Sequence, residues 1–423
     1  MKHLIIGAGP SGVVAAEHIR KFDKSASITI IGDEPEAPYS RMAIPYHLIG
    51  NIKEEGTHLR HTAGHFDNLN IKIINDRVTK INSKNKSVEL TSGGSESYDK
   101  LLIASGSRPV SPPIPGIGQP GVHSCWTLED ARAIAALAKP GAKVIQIGAG
   151  FIACIILEAL ARRDVELTVV EMEDRMVPRM MDSIAGNMIK DWCVHKKIDV
   201  FTNGQVSEIK KVDGDHTFKV SVKTPNGITE LDADLVITAT GVRPCTDFLE
   251  GSDLIIDDGI IVDKNMQTNV ADIFAAGDVA QGKDFCTGEY TVQAIQPTAA
   301  EHGLIAAQNM VGAERAECGG TINMNVLDTM GLISCSFGLW QGVEGGESCQ
   351  LVEKDKWRYL NLQFDGDVLI GATAIGHTQH VGVMRGLIQA EITLGPWKDK
   401  LLNNPLQLMS AYLACTQSAE IKS

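Results

Sequence analysis

Two stretches of this chain repeat one local plan, and that repetition constrains the fold more than any other feature. "HLIIGAGPSGVVAAEHIRKF" runs from an apolar strand through a glycine-rich turn into a helix, and the apolar strand "SITIIG" follows. "AKVIQIGAGFIACIILEALARRDVELTVVE" repeats strand, turn, helix and strand, ending at Glu171. A strand that turns sharply into a helix at Gly-x-Gly-x-x-Gly sets the helix N-terminus, with its free N–H groups, against a phosphate. In the first copy Gly7 permits the turn, Gly9 lets a pyrophosphate approach the backbone, and Gly12 permits close packing of helix on strand. In the second copy Gly148 and Gly150 keep the first two positions, and Ala153 replaces the third with a methyl group that a small helix shift accommodates.

The acidic residues that close each unit are the next discriminating feature. After the first unit, Gly32 stands at the usual acidic position and Asp33 and Glu34 follow, so one of them, Asp33 first, is the candidate for adenosine ribose hydroxyls. Glu171 closes the second unit; its carboxylate suits paired ribose hydroxyls and repels a 2'-phosphate, which favours NADH over NADPH. Arg175 follows in a loop, where it either modifies that preference or serves the surface.

At 423 residues the chain is long enough for two or three domains, and 43% hydrophobic with 22% charged residues is a globular composition. The formal charge of −13, without a basic run interleaved with aromatics, argues against nucleic acid as a partner. No secretory signal and no convincing membrane span are read, so the expected location is cytoplasmic, without integral membrane association. The nine cysteines contain no Cys-x-x-Cys pair, and no metal site is expected; His377 and His380 in "GHTQHVG" lack a third ligand and suit a turn or an interface.

Further landmarks connect the two units. "LLIASGSRP" and "LVITATGVRP" each place a strand before a small-residue turn and an Arg-Pro stop, as expected for paired crossings between two nucleotide domains. In "ADIFAAGDVA", Asp278 follows Gly277 at a strand end and is suited to accept bonds from ribityl hydroxyls, with helix capping as its competing role. Together these motifs resemble the FAD-dependent pyridine nucleotide oxidoreductases, the two-dinucleotide-domain type that includes rubredoxin and ferredoxin reductases, NADH oxidases and the flavin portion of NADH nitrite reductases. The resemblance covers about the first 325 residues and matches Gly7, Gly9 and Gly12 to the FAD motif, Gly148, Gly150 and Glu171 to the NAD motif, and Gly277 and Asp278 to the late FAD motif. The connecting motifs match Ala104 through Pro109, with Gly106, and Thr240 through Pro244, with Gly241.

The resemblance implies an α/β fold with two Rossmann-like dinucleotide-binding domains and a C-terminal mixed α+β interface domain. Its implied boundaries are 1–122 and 246–325 for the two parts of the FAD-binding domain, 123–245 for the NAD-binding domain and 326–423 for the interface domain. It implies FAD and NADH as cofactors, Arg41 beside FAD, and a helix start at "QPTAAEHG" that brings Pro297 and Thr298 near the flavin pyrimidine edge, with helix capping as the competing role of Thr298. It also implies a homo-oligomer and an acceptor that is a redox protein or a small oxidant.

Departures from the family narrow the chemistry. Where disulfide reductases and peroxidases resemble "NCGLPY", this chain reads "RMAIPY"; Met42 replaces the cysteine, and a thioether forms neither a disulfide nor a sulfenate. Tyr46 stands where ferredoxin-reductase relatives carry a lysine. Ile155 replaces the glutamate of "GxxIGxE" and cannot accept a hydrogen bond from the nicotinamide. The expected activity is therefore FAD-dependent NADH:acceptor oxidoreduction without a redox-active cysteine and with no assigned catalytic residue. The alternative is an FAD-binding redox-sensing or assembly subunit with little NADH turnover.

Overall fold

The computed structural model describes residues 1–213, 216–312 and 315–420, with the side chains of 418–420 left aside. The chain divides into two compact units. Unit 1 is Met1–Val110 with Val242–Thr321, and unit 2 is Ser111–Gly241 with the chain from Ile322 onward.

Unit 1 is built on a parallel sheet whose strand order is Ile273–Ala275, Lys100–Ile103, Lys2–Ile6, Ser27–Gly32, Ile71–Asn75. The first strand is central because its Leu, Ile and Ile residues are buried on both faces, as parallel strands covered by helices require. Ala15, Ala16 and Ile19 of the helix Pro10–Phe22 are buried against this sheet. The same helix crosses Gln296–Val311 closely: a Cβ on Gly303 would collide with the carbonyl oxygen of Ser11, so only glycine allows that approach. Ser107–Pro109 and Val242–Pro244, the two Arg-Pro motifs, pair as an antiparallel ribbon with Arg108 opposite Arg243.

Unit 2 holds a second parallel sheet, in the order Asp199–Phe201, Glu166–Val170, Lys143–Ile147, Leu235–Thr238, Val122–Ser124. A three-stranded meander, Gln205–Lys211, Phe218–Thr224 and Gly227–Ala233, packs Phe218, Val220 and Val222 into the same core. The later part of the unit is an antiparallel sheet in the order Met324–Thr329, Leu332–Gly338, Val368–Ile375, Arg358–Asp365, Glu347–Glu353, followed by helices Val381–Gln389, Pro396–Asn403 and Leu408–Glu420. The strand Glu347–Glu353 pairs along its whole length with Arg358–Phe364 although four of the seven residues of "ESCQLVE" are polar.

Long-range bonds join the two parts of unit 2. Tyr359 donates its hydroxyl to Asp182 at 2.5 Å, Trp192 donates its indole N–H to the Thr329 carbonyl at 2.8 Å, and the Met330 N–H reaches Glu158 at 3.4 Å. The α/β class with two Rossmann-like sheets and a C-terminal mixed portion is as expected from sequence.

Candidate functional site

In unit 1 the strand Lys2–Ile6 delivers the chain into a turn at Gly7, whose φ of +112° and lack of side chain are both needed, because a Cβ there would strike the Ala104 carbonyl. Gly12 is equally constrained, since its Cβ would strike the carbonyl of Gly7. Gly9 is different: nothing lies within 4 Å of the place where its Cβ would stand. That open space sits at the start of a helix whose N-cap has no side-chain hydrogen bond, so its first N–H groups are available to an anion. The Ser11 hydroxyl is buried there with no partner. An open cradle, free helix N–H groups and an orphaned buried hydroxyl fit a dinucleotide pyrophosphate.

The other expected residues of unit 1 fall into two groups. Asp278 is half-buried and accepts the Ser107 hydroxyl at 2.7 Å; desolvation pushes its carboxyl above the usual range, opposed by Ser107 and by the charge of Arg41. It is not a cap, since Ala276 occupies the N-cap position of the short turn Gly277–Val279. Thr298 is not one either: Ile295 occupies the N-cap of Gln296–Val311, Pro297 lies in its first turn, and no side chain caps that helix. Gly106 has open space around its missing Cβ.

Glu34 and Arg41 are bonded together with Tyr39. Arg41 Nη2 meets Glu34 Oε1 at 2.6 Å, Arg41 Nη1 donates to the Tyr39 hydroxyl at 3.1 Å, and that hydroxyl donates to Glu34 Oε2 at 2.5 Å. Asp33 stays exposed, with Arg77 4.0 Å away.

In unit 2 the turn is reproduced. Gly148 has φ +102° and faces the Ala239 carbonyl, while Gly150, like Gly9, has nothing within 4 Å of its Cβ position. Ala153 is fully buried in the helix Phe151–Ala161, so its methyl group is accommodated by packing. Glu171 is buried beneath the turn: Oε2 accepts the Ala149 N–H at 2.6 Å and Oε1 the Glu173 N–H at 2.9 Å. A cavity of about 390 Å³ lined by Met172, Asn203, Gly204 and Lys223 opens next to it in sequence. Arg175 is spent within its own loop, on the Met181 carbonyl at 2.9 Å, the Pro178 carbonyl at 3.3 Å and Asp174 at 2.7 Å. Gly241 has no atom near its Cβ position. These features fit the second dinucleotide.

Sequence reasoning missed several polar side chains that hold these turns. Ser107 reaches an aspartate 171 positions away, and no local pattern announces that bond. Gln146, buried in the strand Lys143–Ile147, donates to the Gly148 carbonyl at 3.1 Å; a glutamine inside an otherwise apolar strand was the available signal. His377 is nearly buried, with Nε2 3.3 Å from Glu353, and the His380 carbonyl accepts the Met384 N–H at the start of Val381–Gln389. Met42 and Tyr46 are both exposed, and Ile155 is half-buried. The nine cysteines are free thiols, and burial pushes those of Cys125, Cys193 and Cys335 up to about 12, far from a reactive thiolate. Among the described residues no His, Cys, Asp and Glu cluster could hold a metal, and no helix is long and apolar enough to cross a membrane.

Two glycine turns with open cradles, each followed by a strand-end acid, and one half-buried aspartate at a late turn fit an oxidoreductase that handles a flavin and a nicotinamide dinucleotide. The family described as pyridine nucleotide-disulphide oxidoreductase matches residues 1–303, and the chain belongs to it. It is an NADH-dependent flavoprotein reductase, with FAD and NADH as its cofactors. The NADH-dependent phenylglyoxylate dehydrogenase subunit epsilon of Aromatoleum evansii is 30% identical over 407 residues, covering 96% of this chain and 95% of that protein. An NADH oxidase of Methanocaldococcus jannaschii is 33% identical over 323 residues, covering 74% of this chain and 71% of its own. The solved structure of an NAD-dependent persulfide reductase from A. fulgidus superposes with a TM-score of 0.86 at 28% identity, over 94% of this chain and 78% of that one.

Proposed function

We propose that this chain oxidises NADH and passes the electrons through FAD to a redox protein or a small oxidant, with no cysteine taking part. The observation that carries this reading is the pair of matching open cradles at Gly9 and Gly150. The exposed thioether of Met42, where a cysteine would be needed, supports the absence of a thiol step. The full-length likeness to a subunit of a larger dehydrogenase supports a protein acceptor.

Bound FAD supplies a ring that takes hydride from NADH and gives up its electrons onward. Segments 1–122 and 246–325 hold it, segment 123–245 holds the nicotinamide dinucleotide, and 326–423 serves subunit contact in a cytoplasmic homo-oligomer. Gly7, Gly9 and Gly12 shape the FAD pyrophosphate cradle, Ser11 adds a donor, and Ala104 and Gly106 line the crossing beside it. Asp33 takes the adenosine ribose, because Glu34 is committed to Tyr39 and Arg41. Arg41, fixed by that pairing, keeps a positive charge beside the cofactor. Asp278 after Gly277, oriented by Ser107, accepts ribityl hydroxyls. Pro297 and Thr298 open a helix whose uncapped N–H groups stabilise negative charge at the pyrimidine edge. Gly148, Gly150, Glu171 and Gly241 position the NADH, and the cavity beside Met172 receives its adenosine.

Anaerobic mixing of the FAD-loaded protein with NADH tests this directly. Prompt bleaching of oxidised flavin is expected, with NADPH much slower. No bleaching at full FAD occupancy would sink the reductase reading and leave the sensing or assembly subunit, which the apolar Ile155 favours.

A further inference from the structure

In the turn of unit 2 every backbone polar group of Gly148 and Ala149 is engaged by the protein itself. The Gly148 N–H donates to the Val170 carbonyl at 2.8 Å and the Ala149 N–H to Glu171 at 2.6 Å. Both carbonyls are engaged as well: that of Gly148 accepts Gln146 Nε2 at 3.1 Å, and that of Ala149 accepts the Val177 N–H at 2.8 Å. The N–H groups that follow, from Gly150 into Phe151–Ala161, open a helix whose N-cap makes no side-chain bond.

Each of the two carbonyl bonds carries a penalty. Gln146 is fully buried in the strand Lys143–Ile147 and its Oε1 has no partner, an unsatisfied carbonyl that an apolar side chain would avoid. Val177 is buried, precedes Pro178 and has φ +45°; among the described residues it is the only β-branched one in the left-handed region. Strain of this kind persists only where the surroundings over-determine it, and here the Val177 carbonyl accepts the N–H groups of both Met180 and Met181 at 2.9 Å. Unit 1 builds the same turn without such a glutamine: Ile5, equally buried, stands two places before Gly7 as Gln146 stands before Gly148. Two separate penalties thus converge on adjacent carbonyls of one turn.

We propose that Gln146 is a positioning residue for NADH. With the Val177 N–H it pins both carbonyls of the turn onto protein donors, so that the empty turn keeps N–H groups rather than carbonyl dipoles toward the pyrophosphate. A peptide free to flip would present a carbonyl to the phosphate charge, and affinity would fall with the fraction of turns left competent. NADH enters and NAD+ leaves in every cycle, so this turn is repeatedly empty and has to hold its shape unaided, whereas a retained FAD supports its own turn. The assignment rests on the reading that the second turn takes NADH.

The test uses the FAD-loaded protein, with binding of NAD+, which has no hydride to give, measured by calorimetry beside steady-state reduction of ferricyanide by NADH. Gln146→Met removes the donor and the orphaned carbonyl together, and Gln146→Ile installs the residue type of the first turn. Expected for both are a Kd for NAD+ and a KM for NADH at least about threefold higher, with kcat within about twofold and FAD content unchanged. The thermal midpoint should not fall, since the lost bond is offset by removal of an unsatisfied group. An affinity change under about threefold, or a fall in kcat without a rise in KM, would overturn the proposal. So would a lowered midpoint accompanying the loss of affinity, by showing that Gln146 only braces the strand. An unaltered protein that neither binds NAD+ nor is reduced by NADH would strike the reading of the second turn instead.

Discussion

The two glycine turns have nearly the same backbone but are supported differently. Gly9 sits at φ −77°, ψ −176° and Gly150 at φ −72°, ψ −174°, and both leave the same open space before a helix. In unit 1 the third glycine is obligatory, because Gly12 touches the backbone of Gly7; in unit 2 that place is filled by the buried methyl of Ala153. The acids also differ. Glu171 is hydrogen-bonded into its own turn through Ala149, whereas Asp33 stands clear of the first turn and a residue distant in sequence, Asp278, adds a half-buried carboxylate. One motif is thus closed by the acid that ends its own strand–turn–helix–strand repeat and the other by a segment of the same unit far along the chain. That difference suits one readily exchanged dinucleotide and one retained cofactor.

The sharpest way to break the comparison is Gly12→Ala. Its methyl has no room against the Gly7 carbonyl, so FAD occupancy, read from visible absorbance of the purified protein, should fall more than tenfold. If occupancy survives, the first turn is no more constrained than the second.

Acid should separate the units next. His3 and His302 lie buried in unit 1, and burial holds both at about 4 rather than 6.5. The unfolded chain takes up these protons as pH falls below 6.5, while the folded chain resists until about 4. The stability they carry at neutral pH is therefore lost through that window, about 3 kcal/mol for each. Among the described residues unit 2 has no comparably buried histidine, and all five tryptophans lie in it. FAD release should precede the tryptophan emission change on acidification; a simultaneous or reversed order would contradict this assignment.

Glu171→Ala removes a carboxylate suited to the ribose and the acceptor of the Ala149 N–H. The KM for NADH should rise roughly 10- to 100-fold, as loss of a charged hydrogen bond predicts, with FAD content unchanged and discrimination against NADPH reduced. Equal loss with both nucleotides would show that Glu171 only braces the turn. The smallest effect belongs to Ala153→Gly, which adds helix flexibility and removes a buried methyl, at about 1 kcal/mol measured by thermal unfolding and with little change in the KM for NADH.

Much of this was legible in the residues alone, for a local reason. A strand, a glycine turn and a helix are specified by neighbours a few positions apart, so Gly7, Gly148 and the openness at Gly9 and Gly150 follow from backbone sterics. In the C-terminal sheet, Leu332–Gly338 and Val368–Ile375 run largely apolar, while Glu347–Glu353 has four polar residues of seven and takes its place through pairing with Arg358–Phe364. Arg175 illustrates the limit: its proximity to Glu171 in sequence suggested a part in cofactor choice, yet its guanidinium is consumed by its own loop.

By itself the sequence determined the two dinucleotide folds and the absence of a cysteine beside Met42, because both are properties of residue type at fixed spacing. Only the tertiary structure decided that Glu34 is bound to Tyr39 and Arg41, that Ser107 orients Asp278, and that Trp192 meets Trp357. The last two join residues more than a hundred positions apart, and side-chain commitments at that range are set by which surfaces pack together rather than by any local pattern.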